Sequence, residues 1–107
     1  MTQANLTLTG KSSKKYVFEL YVLNTKFNPV GGLYVFSKVN GTTHTLIYIG
    51  HTQDLSSRFT NHHKEKCIDG QGATHISVCP MSNESDRLVA EKDLLANYNC
   101  HCNEINN

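Results

Sequence analysis

The sequence predicts an α+β domain: a small three-stranded antiparallel sheet flanked by helices. Three observations point to it. The chain has 107 residues, enough for one hydrophobic core but not for a second module. Two β-branched and aromatic runs, Leu33 to Val39 and Thr45 to Ile49, flank an Asn40-Gly41 turn in the manner of a hairpin. Late in the chain, apolar residues recur at helical spacing behind a polar capping position at Ser82 or Asn83. A hydrophobic fraction of 38%, with no low-complexity tract, fits a globular chain rather than a disordered one.

Taken in order, residues 1–13 read as a polar tail, and residues 14–107 as the single domain. Tyr16 to Leu23 is an aromatic and β-branched run, compatible with an added N-terminal strand or a short helix; periodicity alone does not choose. Asn28-Pro29 and Gly31-Gly32 mark a turn. In the hairpin, loop length sets which side chains share a face. A three-residue loop, Asn40-Gly41-Thr42, places Tyr34 directly across from Tyr48, whereas a two-residue Asn-Gly loop sends the two tyrosines to opposite faces. The odd-length loop is the expectation here. Gly50 to Asp54 is then a loop ending in a helix cap at Thr52 or Asp54.

On the helix expected next, Leu55 and Phe59 make the apolar stripe, while Arg58 and His62 stand four residues apart on one flank. Ile68 to Ala73, with Gly70 and Gly72, reads as a loop, and Thr74 to Val78 as a third strand closed by Pro80. The final helix is expected to run to about Tyr98, with Glu84 and Asp86 at the positive end of its dipole. Leu88 and Leu95 fall on its buried stripe with Glu91 between them. A carboxylate so placed needs a cation, a metal or a hydrogen-bond cluster as partner, since unpaired burial of its charge costs several kcal/mol.

Composition narrows the functional classes. A net charge of +1 gives little general attraction for a phosphate backbone, and the basic groups are small: Lys11, Lys14 and Lys15 near the start, Lys64 and Lys66 after His62. No apolar run is long enough to span a membrane, and Met1 to Gly10 lacks the features of a secretory signal, so the cytoplasm is the expected address. Cys67, Cys79, Cys100 and Cys102 contain no C-x-x-C pair. Free thiols are expected, with Cys79 in the core and zinc disfavoured.

The paired tyrosine segments Gly32-Leu33-Tyr34 and Tyr48-Ile49-Gly50, followed in order by Arg58, His62, Glu91 and Asn103, resemble the GIY-YIG nuclease superfamily. The similarity runs from about Gly31 to Asn103. His51, where many relatives carry Lys or another polar residue, and the cysteine-rich stretch before Asn103 depart from its pattern. The resemblance implies a divalent-metal-dependent endonuclease that hydrolyses phosphodiester bonds, acting on DNA in preference to RNA. It implies one Mg²⁺ or Mn²⁺ ion held by Glu91, phosphate contact by Arg58, Tyr34 or His62 as general base, Tyr48 as a positioning group, and Asn103 as a further site residue. His51, Lys64 and Lys66 are candidate substrate contacts. Without a helix-turn-helix, zinc finger or long basic arm, sequence specificity is expected from a homodimer, a separate partner or substrate shape. The alternatives are an RNA-cleaving nuclease and a non-catalytic module that binds nucleic acid or protein on the same fold.

Overall fold

The computed structural model describes residues 5–57 and 64–104. In chain order the elements are β1 (Asn5–Thr9), β2 (Lys15–Val22), β3 (Gly32–Asn40), β4 (Thr43–Thr52), α1 (Glu65–Gly70), β5 (His75–Pro80), α2 (Glu84–Leu95) and α3 (His101–Glu104). The α+β class is as expected, but the sheet has five strands rather than three, in the order β1-β2-β5-β3-β4 with every neighbouring pair antiparallel. The run at Tyr16 is a strand, and the stretch that reads as a polar tail contains β1. Leu6 and Leu8 alternate there with Asn5, Thr7 and Thr9, and Leu8 is buried. Threonine counts as polar in composition, yet its β-branch suits a strand.

The hairpin register differs in an instructive way. Asn40 pairs with Thr43, so the loop is the two residues Gly41-Thr42. Gly41 has a φ of +64°, and Thr42 is not among the non-glycine residues with positive φ, the pattern of a type II′ turn. Near the turn Ser37 pairs with Leu46; beyond it Phe36 pairs with Tyr48 and Tyr34 with Gly50. Ile47 is therefore an extra residue in β4, a β-bulge that shifts the register by one. The even loop alone would have put Tyr34 and Tyr48 on opposite faces. The bulge restores the parity and leaves them diagonal neighbours on one face instead of directly opposed.

Strand alternation divides the core in two. On one face Leu8, Tyr16, Phe18, Leu33, Val35 and Ile49 pack with Ala90 and Leu94 of α2 and with Cys100. On the other, Tyr34, Phe36, Ile47, Tyr48, Ile76 and Val78 pack with Leu55, Ile68 of α1 and Cys102. The chain thus changes face between Cys100 and Cys102, passing the free edge of β4.

Helix α2 starts where its cap requires: Asn83 has extended backbone, and its side chain accepts a hydrogen bond from the Asp86 N–H at 3.0 Å. The buried stripe is Arg87, Ala90 and Leu94, while Leu88 is 48% exposed. The expected Leu88/Leu95 stripe is rotated by about one residue, because Arg87 turns inward to donate to the carbonyls of Met81 (3.0 Å) and Ser82 (2.9 Å). Asp93 fastens the β1–β2 turn to the same helix, accepting from the Ser12 N–H at 2.9 Å and the Tyr16 hydroxyl at 2.9 Å. Its carboxyl is held below the usual range by the Ser12 hydrogen bonds first, and it helps burial push Tyr16 up to about 12.

After β4, Leu55 sits in a turn in which Asp54 Oδ1 accepts from the Ser56 N–H. The next described helix is α1, so Ile68 belongs to a helix and not to the expected loop. Cys67 of α1 is disulfide-bonded to Cys102, 35 residues later in the chain. The expectation of free thiols therefore fails for this pair and holds for Cys79 and Cys100. No helix among the described residues is long and apolar enough to cross a membrane.

Candidate active site

The residues singled out in the sequence gather around one position, Gly50. A side chain cannot be placed there: a Cβ would lie 2.7 Å from both Cζ and the hydroxyl of Tyr34 and 2.8 Å from Cε2 of Tyr48. The phenol rings arch over the bare backbone, with centroids 6.1 Å apart and planes inclined by 32°. Both are buried, and Tyr34 also meets Phe36 edge to face at 5.8 Å. Close approach to a neighbouring group is the role that glycine alone fills here.

His51, the residue after Gly50, forms a second pair with Glu91. His51 pairs with Leu33 and so leaves the sheet on the face opposite the phenols, toward α2. Its Nδ1 lies 3.0 Å from Oε1 of Glu91, with 29% and 22% of the two side chains exposed. The partner that the half-buried carboxylate requires is thus the imidazole of His51, which sequence reasoning treated as a substrate contact. Its position directly after Gly50 was the available signal. Burial, followed by the neighbouring Tyr48 and the negative charge of Glu91, pushes the Tyr34 phenol far above its ordinary value. Burial and then Glu91 raise Tyr48 as well, against a hydrogen bond from Tyr34 that lowers it. At neutral pH both groups are protonated donors.

Asn103 reaches the same neighbourhood by its backbone contacts. Its Oδ1 accepts from the Ile49 N–H at 2.8 Å, and its Nδ2 donates to the Ile49 carbonyl at 2.9 Å. The side-chain amide takes the place of a neighbouring strand on the open edge of β4 and fixes the backbone between Tyr48 and Gly50. The disulfide ties Asn103's neighbour Cys102 to α1, so this anchor is cross-linked to the helix that follows the Arg58-to-His62 segment.

The described structure therefore joins Tyr34 to Tyr48 on one face of β3 and β4, His51 to Glu91 on the other, and Asn103 to the edge of β4 between them. Arg58, His62, Phe59 and His63 lie outside the described residues. Lys64 is the N-cap residue of α1 and Lys66 is exposed on it. Arg87 is a buried cation that the sequence did not single out, packed against Gly31, where a Cβ would lie 2.4 Å from its Nη1.

A divalent ion is tested here by the donor set. Among the described residues no group of three or more His, Cys, Asp or Glu side chains could enclose a metal. Glu91 supplies one hard oxygen donor, which suits Mg²⁺ or Mn²⁺ bound largely by water and substrate phosphate rather than by an all-protein cage. No protein family, curated protein or solved structure matches the chain.

Proposed function

We propose that this protein is a divalent-metal-dependent endonuclease of the GIY-YIG type, cleaving phosphodiester bonds in DNA. The observation that carries the proposal is the arching of Tyr34 and Tyr48 over Gly50 within reach of the Glu91 charge. A structural hairpin has no need of two neighbouring phenols whose ionisation is opposed by a nearby carboxylate. Titratable groups perturbed by burial together with a specific neighbouring charge are enriched at functional sites.

Each residue has a task that its chemistry permits. Glu91 would hold one Mg²⁺ or Mn²⁺ ion, which would supply positive charge to the phosphate and the departing oxygen. Tyr48 donates its hydrogen bond to the nucleophile or a phosphate oxygen and positions it. Tyr34 takes the proton of the attacking water only as the phenolate, after its own proton has left to solvent; burial and Glu91 oppose that ionisation, and positive charge nearby would favour it. Arg58 contributes that charge and bridges phosphate oxygens with its planar fork of donors, with His62 alongside. Asn103 keeps β4 in place under the phenols, a positioning role. Lys64 and Lys66 contact the backbone of the substrate.

One observation favours a second assignment of the base. His51 is oriented by a carboxylate through its Nδ1, which turns its other imidazole nitrogen away from Glu91 as a candidate proton acceptor. The two assignments separate in a cleavage assay on supercoiled plasmid and structured RNA with Mn²⁺ or EDTA. Cleavage of plasmid alone, abolished by EDTA and by Glu91→Ala, supports a metal-dependent DNA nuclease; cleavage of RNA alone replaces the substrate. Loss in Tyr34→Phe with retention in His51→Ala assigns the base to Tyr34, and the reverse assigns it to His51. Retention of both nucleic acids on a gel without cutting by any form replaces the enzyme with a binding module.

A further inference from the structure

We propose that the cavity between residues 23–27 and α1 is a nucleobase subsite that takes an unpaired guanine of the bound strand. The proposal rests on the nuclease assignment of the adjoining site. The cavity holds about 470 Å³, within the range of small-ligand sites. Its floor is the buried trio Phe36, Leu55 and Ile68, and one wall is the half-buried Phe27, braced by an edge contact with Tyr21 at 5.2 Å. An unstacked base finds there the aromatic and apolar surfaces that such bases use in proteins.

The rim selects the occupant. Among the described residues that line the cavity, Glu65 and Asp69 stand four residues apart on one flank of α1, against the ammonium of Lys26. Two carboxylates repel a phosphate inside the cavity and call for a ligand that presents N–H groups. Guanine presents two parallel ones, its ring N1–H and its exocyclic amino group, which one carboxylate accepts together. Thymine offers one N–H between two carbonyls, and adenine places a ring acceptor beside its amino group. Location fits as well. The cavity lies on the same sheet face as the phenols, and Phe36, part of its floor, is the residue that meets Tyr34 at 5.8 Å.

The test is fluorescence anisotropy in EDTA, where binding is read without cutting. The probes are a labelled thymidine oligonucleotide, the same strand with a central guanine, and the same strand with inosine, which lacks the amino group. The guanine strand is expected to bind roughly 10-fold or more tightly than the all-thymidine strand, with most of the gain lost for inosine. Glu65→Gln and Asp69→Asn, which alter no buried contact, should together abolish the preference, while Tyr34→Phe keeps it. Equal affinity for all three strands, or a preference that survives Glu65→Gln/Asp69→Asn, overturns the proposal. Guanine preference in a protein that nicks no plasmid leaves the subsite standing and removes only the nuclease assignment; nicking without guanine preference does the opposite.

Discussion

Replacing Gly50 by alanine puts one methyl group under the two phenols. The Cβ would sit 2.7 Å from Tyr34 and 2.8 Å from Tyr48, where an ordinary carbon contact is about 3.5 Å or more, so the rings must retreat by roughly 0.8 Å. Both rings are buried, which leaves them little room to do so. Overpacking of this kind costs about 1–3 kcal/mol. A displacement near 1 Å of groups that position a reacting phosphate costs about 10²-fold in rate. Urea unfolding of Gly50→Ala should therefore show a lower midpoint at unchanged slope, and cleavage should fall far more than the stability loss at assay temperature explains. Gly70→Ala is the control: its Cβ meets nothing within 4 Å, and the change should be neutral or slightly stabilising. Equal unfolding midpoints for Gly50→Ala and the wild type would refute the close approach of the phenols and with it the reason for glycine at this position.

Three further outcomes are expected. Cys67→Ser, which opens a loop of 35 residues, should lower stability by about 3–4 kcal/mol under oxidising conditions and have no effect in excess dithiothreitol, measured by urea unfolding. Asn103→Ala, which strips the Ile49 N–H and carbonyl of their partner, should cost about 1–3 kcal/mol and raise amide hydrogen exchange at Ile49 above that of Val35. Tyr16, Tyr34 and Tyr48 have folded-state pKa values above the unfolded value near 10, so the unfolded chain loses these protons first as pH rises. Their contribution is fully present below about pH 10 and is lost above it. Phenolate absorbance of Tyr16, Tyr34 and Tyr48 should accordingly be absent at pH 10 and appear on alkaline unfolding.

Much of the site was legible because its residues are tied to local patterns. Paired tyrosine-bearing strand segments around a turn, and a carboxylate near the inner stripe of a helix, which demands a partner, were the patterns that singled out Tyr34, Tyr48 and Glu91. They did not identify the partner, because His51 and Glu91 are 40 residues apart and meet only when α2 is laid on the sheet. The hairpin register was illegible for a related reason. Turn chemistry fixes the loop, but the bulge at Ile47 arises where both Ile47 and Tyr48 gain by burial on one face, a property of the packed core. The Cys67–Cys102 pairing likewise depends on α3 rounding the edge of β4, and the α2 stripe shifted because a buried arginine found carbonyl partners outside its own helix. β1 escaped notice because its alternation is short and built from threonine.

The most direct test of a cleaving site around Gly50 is single-turnover nicking of supercoiled plasmid in Mn²⁺ by the wild type and by Glu91→Gln, a variant that keeps the shape of the side chain and removes its charge. The expected result is metal-dependent nicking by the wild type and a loss of about 10²-fold or more in a variant whose unfolding midpoint shows it to be folded. Nicking by Glu91→Gln at the wild-type rate, or by neither protein at any metal concentration, would contradict it.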